Sequence, residues 1–174
     1  MEVNSRHHLR SDEVRDVEDR LADRLGVEVD ADAYELVELD DSAFDLVLVD
    51  GEPSVLYVER EANAAESSGD EPRDCEPFLT VRGANDYPPE RRVVTVDAGA
   101  VSFVSDGADV MRPGIVEADA DIEAGDLVAV AEESHGKVLA VGRAMTDGDD
   151  MVGESGKVVE SVHHVGDDLY EFDV

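Results

Sequence analysis

Cysteine and lysine are almost missing from this 174-residue chain, and basic charge as a whole is scarce. Cys75 stands alone, so neither an internal disulfide nor a cysteine-based zinc site can be assembled within one chain. Lys137 and Lys157 are the only ammonium groups beside twelve arginines. No apolar run approaches the ~20 residues of a membrane-spanning helix. The opening MEVNSRHHLR lacks the apolar core of a signal peptide. These absences lead us to expect a cytoplasmic protein without membrane contacts.

What the chain has in excess is acid. Its 45 Asp and Glu residues against 14 Lys and Arg give a formal net charge of -31. Such a balance is typical of disorder, but 42% of the residues are hydrophobic and Val, Leu and Ala recur in strand-like runs. The acid is spread along the chain rather than gathered in a tail. An ordered, acid-coated, lysine-poor protein suits a salt-rich cytoplasm such as that of haloarchaea. In ~1 M salt the Debye length is only ~3 Å, and surface self-repulsion is largely screened. The same screening weakens the phosphate attraction on which most nucleic-acid binding depends. The charge therefore decides neither for nor against nucleic acid.

Apolar spacing divides the chain. Ser11 is a candidate N-cap, and Val14, Val17, Leu21 and Leu25 follow at helical intervals up to Gly26, which predicts a helix over about 12–25. Phe44–Val49 and Ser54–Val58 flank Asp50-Gly51-Glu52-Pro53 and read as a hairpin. Residues 60–76 have no apolar face and read as a mobile acidic insertion. Phe78–Val81 resumes strand character, and Pro88-Pro89 with Arg91-Arg92 marks a domain joint. Beyond it, Ala98–Asp106 supports about two helical turns with Val101 and Val104 on one side. Arg92–Val96, before that helix, reads as a short strand, and glycine-separated strand-like runs follow it: Gly125–Val130, Lys137–Val141, Lys157–Val162 and Asp168–Phe172. One small helix among many short strands predicts a compact β-barrel, and an α+β fold overall.

The stretch Val94 to Ile115, with Gly99-Ala100, Gly107-Ala108-Asp109-Val110 and Met111-Arg112-Pro113-Gly114-Ile115, resembles the opening of a PUA domain. Ile122-Glu123-Ala124-Gly125-Asp126-Leu127-Val128, Leu139-Ala140-Val141-Gly142-Arg143-Ala144 and Gly156-Lys157-Val158-Val159 continue the resemblance in order. It covers about 92–172 and is most similar to archaeal relatives of the malignant T-cell amplified sequence family. Residues 1–90 then correspond to that family's leading, pre-PUA domain, with Arg6-His7-His8-Leu9-Arg10-Ser11 as the best match. The resemblance implies a non-catalytic protein that binds structured RNA, rRNA or tRNA, in translation at the small ribosomal subunit, with a SUI1-type factor as partner. It implies an RNA surface of Gly99, Gly107, Arg112, Pro113, Gly114, Arg143 and Met145. The alternative is an accessory RNA-binding subunit for a tRNA or rRNA modification enzyme. Neither reading involves DNA.

The residues themselves allow a more ordinary account. Gly107 and Gly114 frame a stiff segment closed by Pro113. Arg112 on that edge, and Arg143 at a strand end, can stack on a base or grip a phosphate; either can equally pair with a surface acid. Met111 is assigned to the core or barrel rim. Arg6, His7, His8 and Arg10 form a possible secondary patch for RNA or a partner, against ordinary pairing along a helix surface. Adjacent histidines diverge, so His7-His8 and His163-His164 make poor metal sites. Asp147-Gly148-Asp149-Asp150 lacks EF-hand spacing and reads as a turn. No nucleophile–base pair or phosphate-cradling loop is present, so neither an enzyme, a metal nor a cofactor is expected.

Overall fold

A computed structural model of the chain describes residues 2–40, 42, 44–59 and 75–172. The described residues form two sheets and three α-helices, the α+β class expected. The first sheet is antiparallel throughout: β1 (Glu2–His8), β2 (Tyr34–Asp40), β3 (Phe44–Val49), β4 (Glu52–Glu59) and β5 (Cys75–Leu79) lie in chain order. The predicted hairpin is β3–β4, turning at Asp50-Gly51, where both residues have positive φ. The first helix, α1 (Ser11–Leu25), buries Val17, Leu21 and Leu25, the stripe read from spacing. Its N-cap is Arg10 rather than Ser11, and the Glu13 carboxylate accepts the Arg10 backbone N–H at 3.3 Å. Of the insertion expected at 60–76, residues 60–74 lie outside the described residues. Cys75 and Glu76 open β5, and Glu76 is buried.

A second helix, α2 (Val81–Asp86), was not expected from the sequence, which reads as strand up to Val81. Thr80 caps it by accepting the Gly83 N–H at 2.9 Å, while its hydroxyl donates to Pro53 O at 2.8 Å. A Cβ on Gly83 would stand 2.0 Å from Ser54 O, so only glycine lets α2 lie this close to β4. Six residues are too few to show a helical period.

The second sheet contains β6 (Val93–Val96), β7 (Val110–Met111), β8 (Ile115–Ala118), β9 (Leu127–Glu132), β10 (Val138–Ala144) and β11 (Lys157–His164), in spatial order β7-β11-β10-β9-β6-β8. Its edge strands β7 and β8 are joined by the 3-10 turn Arg112–Gly114, which almost closes the sheet into the expected barrel. The third helix, α3 (Val101–Ser105), is shorter than the two turns predicted. Asp168–Phe172, predicted as a strand, is a turn instead. Asp167 accepts the Tyr170 N–H at 2.7 Å, and the segment folds back with Leu169 buried.

The Leu127–Ala131 run is apolar throughout because β9 is buried on both faces. Leu127, Ala129 and Ala131 join Val17, Leu46 and Phe78 in one cluster. Val128 and Val130 face a second cluster inside the barrel, with Val94, Val104 and Met151. Burial of each larger aliphatic side chain contributes ~1.5–3 kcal/mol. The chain on either side of Pro88-Pro89 thus shares one core. Asn85 adds a two-way bond across it, donating to Val138 O at 3.1 Å and accepting Val138 N–H at 2.9 Å.

Candidate nucleic-acid interface

A groove of about 420 Å³ opens between α3 and the β7–turn segment. Helix α3 is anchored by Val104, which is 2% exposed in the barrel core. With Val104 turned inward, the neighbouring Phe103 projects outward and is 66% exposed. Met111, on the facing strand, is 48% exposed. Gly99, Ala100, Ala108, Val110, Pro113 and Gly114 continue the apolar lining. A mostly apolar wall with a bare aromatic ring suits the face of a base better than a phosphate.

Two carboxylates stand at this groove, Asp97 and Asp109. Asp97 accepts the Ala100 N–H at 3.0 Å. Asp109 accepts the Ser161 N–H at 2.8 Å and pairs with Lys157 at 3.2 Å. The Ser161 bond is the main reason its carboxyl titrates below the usual 3.8, against a smaller opposing effect of burial. Asp109 therefore tethers α3's exit to β11.

The sequence-predicted residues do not fall in one place. Gly99, Pro113 and Gly114 line the groove. Gly107 lies behind it, with φ +92°, and a Cβ there would stand 2.7 Å from His164 Nε2. Its task is to let the chain leave α3 over the His164 ring, whose Nδ1 lies 3.1 Å from Ser105 O. Met145 is 48% exposed beyond β10, with its N–H on Val158 O at 2.8 Å.

Arg112 does not project from its edge. Nε donates to Asp150 O at 2.8 Å and Nη1 to Ser155 O at 3.0 Å. The side chain runs where Cβ atoms on Gly153 and Gly156 would stand, 3.0 Å from its Cδ and 2.8 Å from its Nη1. Arg112 thus clamps the loop before β11 through backbone carbonyls, a role between the ligand and the acid pairing read from sequence. Arg143 lies elsewhere, in a polar cleft shared with Arg24, Glu76 and Arg92, with Nη1 donating to Gly125 O at 2.8 Å.

The N-terminal patch is likewise separated by its elements. Arg6 bonds Glu35 on β2 at 2.8 Å, and His8 Nε2 stands 3.8 Å from the same carboxylate. The Arg6 bond holds the Glu35 carboxyl below its usual range. His7 alternates away from them along β1, and Arg10 Nε turns back to Glu13 at 3.1 Å. His163 is buried at 1% exposure, with Nδ1 on Asp167 at 2.8 Å.

Phe103 and Met111 were missed as groove residues. In Val101-Ser102-Phe103-Val104, inward valines at i and i+3 leave the phenylalanine on the outer flank. That was the available signal.

The PUA domain family model matches residues 92–166. An uncharacterised protein of Methanocaldococcus jannaschii is 35% identical over 130 residues, 74% of this chain and 71% of its own length. Translation machinery-associated protein 20 of Saccharomyces cerevisiae is 35% identical over 95 residues, about half of each chain (51% and 52%). Malignant T-cell-amplified sequence 1 of Danio rerio is 33% identical over 97 residues, 53% of this chain and 54% of its own. Among solved structures, a hypothetical protein of Pyrococcus horikoshii OT3 superposes with a TM-score of 0.76 at 29% identity, covering 96% of this chain and 98% of that one. A conserved PUA domain protein of Thermoplasma acidophilum gives 0.75 at 25% identity, with the same coverage. This chain belongs to the PUA-domain protein family that includes these archaeal proteins, translation machinery-associated protein 20 and malignant T-cell-amplified sequence 1.

Proposed function

We propose that this protein binds structured RNA in translation, without catalysis, through the groove between α3 and the β7–turn segment. The observation that carries this is the exposed Phe103 ring beside Met111, Pro113 and two glycines in an apolar groove. Family membership, and relatives named for the translation machinery, support the assignment. The proposed division of labour is a leading domain over residues 1–90 and a PUA domain over 92–172. The RNA is rRNA or tRNA, met in the cytoplasm at the small ribosomal subunit, with a SUI1-type factor as a partner. No described helix is long and apolar enough to cross a membrane.

On this reading bases are held by stacking and shape, so affinity falls only shallowly with salt. A protein that neutralised many phosphates would have a steep slope. Crosslinking in molar salt, followed by sequencing of the bound RNA, tests the claim. Enrichment of rRNA or tRNA together with small ribosomal subunits is expected. No enriched RNA would refute RNA binding. Co-purification with a modifying enzyme in place of ribosomal subunits would move the protein to an accessory role in RNA modification.

A further inference from the structure

The cleft that holds Arg143 is separate from the apolar groove; no residue lines both. It measures about 430 Å³ and lies where α1 and β5 of the first sheet meet the barrel. Arg24, Arg92 and Arg143 converge there with Glu76, Glu123 and Asp126. Three positive and three negative side chains make it neutral, inside a chain of net charge -31. An oxyanion excluded by the acidic surface elsewhere meets no net repulsion here.

The arginines are not equally committed. Arg24 pairs with the buried Glu76. Arg92 Nη1 stands 3.2 Å from Asp126. Arg143 is bonded to a carbonyl, Gly125 O, and among the described residues it forms no ion pair with a carboxylate. Arg92 reaches the cleft from an uncommon backbone position, φ +59° for a non-glycine residue. Its N–H is pinned by Asp119 Oδ2 at 2.9 Å, and its carbonyl accepts the Ala129 N–H at 3.0 Å. Arg92 immediately precedes β6 and Arg143 lies on β10, and β9 runs between these two strands.

We infer that this cleft is an oxyanion site that takes a phosphate group. Arg143 is its first ligand, and Arg92 is a second that exchanges Asp126 for the incoming oxygen. The inference does not rest on RNA binding, since the phosphate can belong to an RNA backbone or to a free phosphate compound. Guanidinium forks match phosphate oxygens with paired N–H donors. The competing account is an ion-pair network that only joins the two sheets.

Titration of the full-length protein with inorganic phosphate in molar KCl, at matched ionic strength, separates the two by thermal unfolding and calorimetry. Phosphate should raise Tm and bind saturably. Arg143→Gln should weaken phosphate binding about tenfold or more, as expected for loss of a charge-assisted hydrogen bond. Arg112→Gln should leave it unchanged. Asp126→Asn should tighten it by releasing Arg92, even where it lowers the phosphate-free Tm. Absence of a phosphate-specific shift, or equal phosphate affinity in wild type, Arg143→Gln and Asp126→Asn, overturns the site and leaves the network. Purified tRNA, a structured RNA, identifies the source. Competition by inorganic phosphate, with a matching loss in Arg143→Gln, assigns the site to the RNA backbone. A phosphate shift without any effect on RNA assigns it to a free phosphate compound, and a phosphate shift without any RNA binding refutes the RNA reading alone.

Discussion

The apolar groove and the arginine cleft use opposite chemistry on one small protein. The groove has a bare phenylalanine and a methionine, with its carboxylates tied to backbone or lysine. The cleft is polar and gathers a quarter of the chain's arginines in one place. On the two proposals made above, an acid-coated protein would meet a phosphate in a locally neutral cleft and a base on apolar groups. Arg112, at the groove's edge, differs from both: its Nε and Nη1 donate to backbone carbonyls of the loop before β11.

The sharpest way to break this comparison is to collapse the groove from behind. Gly107→Ala forces a Cβ into the His164 ring at positive φ and should cost about 2–4 kcal/mol of stability, read as a lower Tm with weaker RNA binding. Next, Phe103→Ala should reduce RNA affinity ~5–100-fold through lost stacking. Its Tm should hardly move, because the ring is already exposed. Equal affinity of Phe103→Ala and wild type in a filter-binding assay would remove the groove from RNA recognition. Arg112→Ala should cost about 1–3 kcal/mol by freeing the 150–156 loop, seen as faster amide exchange there. Arg112→Lys should not restore it, since one ammonium cannot reproduce the fork on two carbonyls.

Acid should act more weakly and on different groups. Asp109 and Asp167 both titrate below 3.8 in the folded protein. In Asp167 desolvation works upward but is outweighed by bonds from His163, His164 and Tyr170. Depressed carboxyl pKa values stabilise the fold above the unfolded value, and this is lost as pH falls through the lower folded values. In molar salt the Tm gap between wild type and Asp109→Asn should therefore hold above pH 3.8 and narrow below it. A gap that widened in acid would reverse the assignment. The smallest effect is at the N-terminus, where Arg6→Ala should leave Tm unchanged within error because its ion pair is exposed. Unchanged ribosome association of Arg6→Ala with Arg10→Ala would remove the secondary patch.

The sequence by itself determined the elements whose periods are long enough to count. Helix α1 was legible in Val17, Leu21 and Leu25, the β3–β4 hairpin in its Asp-Gly turn, and the barrel in its glycine-separated strands. Short elements were not legible: α2 has six residues, and β1 is exposed along nearly its whole length, so neither shows an apolar period. The Asp168–Phe172 strand failed because alternation in five residues cannot reveal that Asp167 will cap a turn. At the candidate site the sequence marked Gly99, Pro113 and Gly114, since glycine and proline carry their backbone constraint with them. Only the tertiary structure decided what the arginines do. A guanidinium is long, and its partner is chosen by whichever carbonyl or carboxylate the fold brings within reach. Arg112 found Asp150 and Ser155, thirty-eight and forty-three residues away, while Arg143 was turned into the cleft between the sheets.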